Sequence, residues 1–209
     1  INAVFFMFFA GGILVLMIYH SFIYSMTRIR ISLFYVGFLI GILALNLTLT
    51  SYYKVIFDSY VLGFPIGLMG SVLFSNISFI ALMIFTKELF GITNKHKVIR
   101  LFYFLIIIFA IINIILVFSP IYFWSGTCTR YLGGVIVVYA LSSSIYFWRK
   151  GKRTSLFFFF SWLPFFSGST MTILSMDGVI SNYTLSYTIL FLGSYLGSVI
   201  MAVLVSDYI

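Results

Sequence analysis

The residues able to do proton or nucleophile chemistry are few in this chain, and their spacing does not suit it. Two histidines (His20, His96), one cysteine (Cys128) and four carboxylates (Asp58, Glu88, Asp177, Asp207) are the whole supply of imidazole, thiol and carboxylate groups. Two imidazoles and a lone thiol do not make a metal set, and a single cysteine cannot form an internal disulfide. There is no Gly-x-Ser-x-Gly turn to carry a serine nucleophile and no glycine-rich loop to cradle phosphates. His20 falls near the end of a long apolar run and His96 among charged residues, so neither is placed as a buried general base. What the chain does have is three amides in apolar surroundings: Asn46, Asn76 and Asn113. A lone amide in hydrocarbon costs several kcal/mol, so each must find partners. One reading is interhelical hydrogen bonding. The other is that Asn46 and Asn113 line a cavity whose mouth carries Arg130, Trp124 and Asp177 and which takes an unidentified small ligand. Trp124, Tyr122, Tyr52 and Tyr53 also suit an interfacial aromatic belt.

The elements that must position these groups follow from composition. Of 209 residues, 63% are hydrophobic and only 8% are charged, against roughly 25% charged in a soluble domain. The mean hydropathy is +1.19. Such a chain can neither cover a water-facing surface nor remain disordered, so it is a polytopic membrane protein. At roughly 20 apolar residues per crossing helix, its length allows about seven spans. Polar interruptions cut it into residues 1–24, 31–50, 61–86, 101–119, 130–148, 155–175 and 184–205. The runs lack strand alternation and are too long for buried strands, so an all-α seven-helix transmembrane bundle is expected. No linker or internal repeat appears, and residues 1–209 read as a single domain. A first residue other than Met and an end on an apolar run suggest an excerpt of a longer protein.

The net charge of +8 would suggest nucleic acid in a soluble protein, but here it speaks to topology, and no nucleic-acid partner is expected. Arg28, Arg30, Lys87, Lys95, Lys97, Arg100, Arg149, Lys150, Lys152 and Arg153 fall in loops on one side, and Lys54 and Arg130 on the other. The ten-to-two imbalance puts the first group in the cytoplasm, the N-terminus outside and the C-terminus inside. The basic loops would contact membrane lipid headgroups. None of the six lysines sits within a span, which excludes a retinal Schiff base. No carboxylate lies inside a span either, which argues against proton-coupled transport.

Glycines four apart, Gly37 with Gly41, Gly63 with Gly67 and Gly193 with Gly197, mark faces where helix backbones can approach closely. Ser194 and Ser198 widen the stripe in the last span, which packs either inside the bundle or against a second copy in a homodimer. Pro164, midway through the sixth span, should kink it.

Several stretches together resemble the seven-transmembrane core of bacterial receptors with diverse intracellular signalling modules. Gly11-Gly12, Tyr19-His20-Ser21-Phe22 and Arg28-Ile29-Arg30 are similar to that family's first span and loop, with His20 in place of its usual Asn. Ser32-Leu33-Phe34-Tyr35 resembles its Tyr-Leu-Tyr-Tyr run, and Phe85-Thr86-Lys87-Glu88-Leu89-Phe90 the end of its third span. Arg149-Lys150-Gly151-Lys152-Arg153 followed by Phe160-Ser161-Trp162 resembles its basic glycine turn. Asp177-Gly178-Val179-Ile180-Ser181-Asn182 and then Gly193-Ser194 resemble the approach to its last span. The resemblance implies an extracytoplasmic sensor domain before the bundle. It also implies a cytoplasmic cyclase, kinase, diguanylate cyclase or phosphatase module after it, in the same chain, in the inner membrane.

The leading expectation is therefore a noncatalytic, cofactor-free receptor domain that relays an outside signal, with Gly193 and Gly197 as relay residues. A permease for a small neutral solute is the alternative from another class. A lipid-modifying enzyme is weaker, because no catalytic cluster is present.

Overall fold

A computed structural model describes residues 3–49, 60–61, 64–176, 178–179, 181 and 183–208. Within them the chain forms α1 (Ala3–Thr27), α2 (Arg30–Leu49), β1 (Tyr60–Val61), β2 (Phe64–Pro65), α3 (Ile66–Phe90), α4 (Lys97–Val117), α5 (Tyr122–Arg149), α6 (Thr154–Met176) and α7 (Tyr183–Tyr208). The seven helices are the seven expected segments. The backbone of a bilayer-crossing helix satisfies all its own polar groups, which is why such apolar runs settle as helices. β1 and β2 pair antiparallel over two residues each. Five helices contain stretches long and apolar enough to cross a membrane: Phe6–Thr27, Met69–Phe90, Lys97–Val117, Tyr122–Arg149 and Thr188–Asp207. The apolar stretch of α2, Arg30–Ala44, is shorter, and in α6 Ser155, Ser161, Pro164, Ser167 and Gly168 dilute the aromatic residues.

The helix ends have local causes. α3 starts at Ile66 rather than near residue 61 because Phe64–Pro65 is taken up by the ladder to Tyr60–Val61. α5 starts at Tyr122 rather than near residue 130. Pro120 lies just ahead of it, where a missing amide hydrogen costs nothing, and the Ile121 amide donates to Ser119 Oγ at 3.3 Å. At the other end of α5, Gly151 takes φ 85°. The Gly151 and Lys152 amides donate to the Trp148 and Phe147 carbonyls at 2.8 and 3.1 Å, a Schellman turn that only glycine closes without strain. Gly91 (φ 59°) closes α3 in the same way, with the Ile92 amide donating to the Lys87 carbonyl at 3.0 Å.

Packing divides the chain into two compact units. The first comprises Ile1–Val36 and Val137–Ile209, and the second Gly37–Ile136. In the first, Phe6 and Phe9 of α1 meet Phe191 of α7 edge-on, with ring centres 6.2 and 5.3 Å apart. Tyr195 of α7 lies over Gly12, where an added Cβ would come within 2.5 Å of its ring. In the second unit, Leu39, Ile42, Leu82, Phe85, Ile106 and Ile136 are buried. There Gly41 receives Ser78 of α3 so closely that a Cβ at Gly41 would lie 2.8 Å from the Ser78 Cα.

Many buried hydroxyls are dealt with locally in both units. Ser75, Ser78, Thr86, Ser143, Ser144, Ser194 and Ser198 each donate to a carbonyl one turn earlier on their own helix. This satisfies a hydroxyl inside an apolar bundle without a partner helix.

Candidate relay site and buried polar nodes

In the first unit, α7 lies against α6 through three glycines. A Cβ on Gly168 of α6 would fall 2.6 Å from the Leu190 Cα of α7. From the other side, a Cβ on Gly197 would fall 2.6 Å from the Ser161 carbonyl oxygen, and one on Gly193 would collide with the Pro164 carbonyl oxygen. The two glycines singled out in the sequence thus sit one above the other on consecutive turns of α6. Pro164 lies within α6 at this site, and its ring removes one amide donor there. Thr172 Oγ1 donates to the Gly168 carbonyl at 2.9 Å and reaches the Ser186 carbonyl of α7 at 3.4 Å. The glycine stripe of α7 is therefore occupied by α6 of the same chain.

The same unit contains a fully buried aromatic and polar layer. Tyr35 of α2 donates its hydroxyl to the Ser198 carbonyl of α7 at 2.5 Å. His20 of α1 stands edge-on to Tyr35, ring centres 4.7 Å apart at 78°. His20, Tyr35 and Ser32 have no exposed surface. Among the described residues neither His20 nitrogen has a hydrogen-bond partner, and neither does Ser32 Oγ. Trp162 of α6, one residue from the Ser161 that seats Gly197, is also buried, and its Nε1 has no hydrogen-bond partner there.

In the second unit the amides meet. Asn113 Nδ2 of α4 donates to Thr129 Oγ1 of α5 at 2.7 Å and to the Ser125 carbonyl at 3.2 Å, with Asn76 Oδ1 of α3 at 3.5 Å. Asn76 Nδ2 donates to Thr129 Oγ1 at 3.0 Å and to the Val72 carbonyl at 2.7 Å. Thr129 Oγ1 in turn donates to the Ser125 carbonyl at 2.9 Å. Three helices are thus tied at one point, and Asn113 Oδ1 is left buried without a partner among the described residues. Asn46 is buried and donates to its own helix, to the Ile42 carbonyl at 2.8 Å. Arg130 is exposed on α5, next to Thr129. Asp177 and Gly63 lie outside the described residues.

Of the residues expected from sequence to be functional, the structure thus brings Gly193 and Gly197 together against α6 and joins Asn113 to Asn76. Thr129, Ser125 and Tyr35 were not singled out from the residues alone, and Ser198 was read there only as part of the small-residue stripe. Ser125 and Thr129, four apart on one helix, were the only local sign of the node in the second unit. The pairing of Tyr35 with Ser198 spans 163 residues and leaves no local sign.

The basic residues Arg28, Arg30, Lys95, Lys97, Arg149, Lys150, Lys152 and Arg153 are exposed. Several basic groups lie over aromatic rings: Lys150 Nζ is 4.6 Å from the Tyr146 ring centre, Lys152 Nζ 5.4 Å from Phe147 and Arg100 5.3 Å from Phe104. Stems lying along apolar surface with the charge held at its edge are what a membrane boundary selects. Exposed Trp148 suits the same boundary, and exposed Trp124 and Tyr131, towards the other end of α5, suit the opposite one. Comparison with curated proteins and with solved structures returned no match. A comparison with protein families matches residues 2–208 to the 7TM diverse intracellular signalling model. The helices, their membrane-length apolar stretches and this match over nearly the whole chain agree: the protein is a multi-pass membrane protein that belongs to the 7TM diverse intracellular signalling family.

Proposed function

We propose that this domain passes a signal from an extracytoplasmic sensor to a cytoplasmic effector by shifting α7 against α6. The observation that carries this reading is the seating of Gly193 and Gly197 on the Pro164 and Ser161 carbonyls. Backbone in direct contact with backbone has a few discrete packings rather than a continuum. α7 is also the helix to which a module following the bundle would be joined. The ten-to-two distribution of basic residues supports a cytoplasmic C-terminus in the inner membrane, with the N-terminus outside. The family's description supports an intracellular signalling module in the same chain, and the module proposed is of cyclase, kinase, diguanylate cyclase or phosphatase type. The bundle itself carries no catalytic step in this reading and works as one domain. Asn46, Asn113 and Arg130, all of the second unit, remain residues proposed to line a cavity that takes a small ligand. A ligand biases the packings only to the extent that it binds them with different affinity.

Gly197→Leu tests the relay. It should fix effector output high or low, by about tenfold for each 1.4 kcal/mol of bias, including after removal of the sensor domain. Output is measured in membranes and normalised to folded protein. Unchanged basal and stimulated output from a normally inserted variant would rule out α7 packing as the relay.

A further inference from the structure

The buried layer of the first unit sets a donor that is already bonded beside a ring whose acceptor is unfilled. Tyr35 gives its hydroxyl to the Ser198 carbonyl, while the adjacent His20 ring has no hydrogen-bond partner among the described residues. An imidazole carrying one proton keeps one nitrogen as an acceptor. Leaving that acceptor empty in a water-free site is costly, so the site favours any state that fills it. The edge-on contact of the two rings, 4.7 Å between centres, brings the phenol beside the imidazole. A change of partner requires the Tyr35 ring to swing from the Ser198 carbonyl towards His20.

We propose that Tyr35 and His20 form the latch of the last helix. In the closed state the Tyr35 hydroxyl holds α7 at Ser198. In the open state it turns to the free nitrogen of His20 and releases α7 from α2. The release loses one hydrogen bond and makes another, so the two states lie close in free energy. Both His20 and Tyr35 act as positioning residues. The accepting atom on α7 is a backbone carbonyl, and the Ser198 hydroxyl is separately bonded to the Ser194 carbonyl at 2.7 Å. The latch therefore depends on the Ser198 backbone and not on its side chain.

This inference deepens the relay reading and rests on it, but its test does not use effector output. Spin labels are placed at Leu33→Cys on α2 and Val203→Cys on α7, two exposed positions of the same unit, in a Cys128→Ser background in lipid nanodiscs. The distance distribution then measures α7 against α2. His20→Phe removes the second acceptor and keeps a ring, so it should reduce the longer-distance fraction relative to the shorter about tenfold, equivalent to about 1.4 kcal/mol. In a Tyr35→Phe background, where no hydroxyl is left to exchange, His20→Phe should have no such effect. His20→Asn, which keeps an acceptor oxygen, should behave as the wild type. A His20→Phe effect of the same size with and without the Tyr35 hydroxyl would show that ring packing is responsible and overturn the latch. So would identical distributions in wild type and His20→Phe. If His20→Phe does not insert, His20→Leu carries the same comparison with the same deciding outcomes. A result that supports the latch while Gly197→Leu leaves output unchanged would refute the relay and keep the exchange. The converse would refute the exchange alone.

Discussion

The close approach of α7 to α6 predicts a large difference between two chemically identical substitutions in the same unit. A Cβ at Gly197 would lie 2.6 Å from the Ser161 carbonyl oxygen, where ordinary contact begins at 3.4 Å, so one helix must retreat by about 0.8 Å. The obstacle is backbone, which cannot rotate aside as a side chain can. Overpacking of this kind costs about 1–3 kcal/mol. Alanine returns about 1 kcal/mol of helix propensity over glycine. The net expectation for Gly197→Ala is a loss of about 0–2 kcal/mol. At Gly11 of α1 nothing among the described residues lies within 4 Å of where a Cβ would sit. Gly11→Ala should therefore keep the propensity gain alone, about 1 kcal/mol of added stability. The two variants should differ by about 1–3 kcal/mol in titration with a denaturing detergent, followed by loss of helical circular dichroism in mixed micelles. Equal midpoints, or Gly197→Ala above Gly11→Ala, would show that the α6–α7 seat is not close-packed and would remove the physical basis of the relay.

Asn113→Leu should lower stability by about 1–2 kcal/mol, because it takes the amide out of the bonds to Thr129 and Ser125. The same titration checks this, and a variant as stable as the wild type would mean the three-helix tie contributes nothing. Topology is checked by thiol accessibility: with Cys128→Ser as background, Lys152→Cys should resist a membrane-impermeant maleimide in intact cells and react after permeabilisation. Reaction in intact cells would reverse the proposed orientation.

The membrane class, the all-helical fold and the approximate place of each helix were legible in residue order, because a bilayer makes every apolar run satisfy its backbone within itself. A glycine spacing of four likewise marks a face that permits close approach, and Gly193 and Gly197 do sit on such a face. The sequence by itself could not say what meets that face, and only the tertiary structure assigns it to the Pro164 and Ser161 carbonyls. Helix association inside a bilayer has little hydrophobic bias, since lipid tails are as apolar as leucine, so shape and hydrogen bonding choose the neighbours. The start of α5 at Tyr122 and the bond of Tyr35 to the Ser198 carbonyl were decided at that level. So was the difference between Asn113, which bonds across helices, and Asn46, which bonds to its own. All three amides look alike in sequence, and each becomes glue or a free group only when packing decides which carbonyl or hydroxyl it can reach.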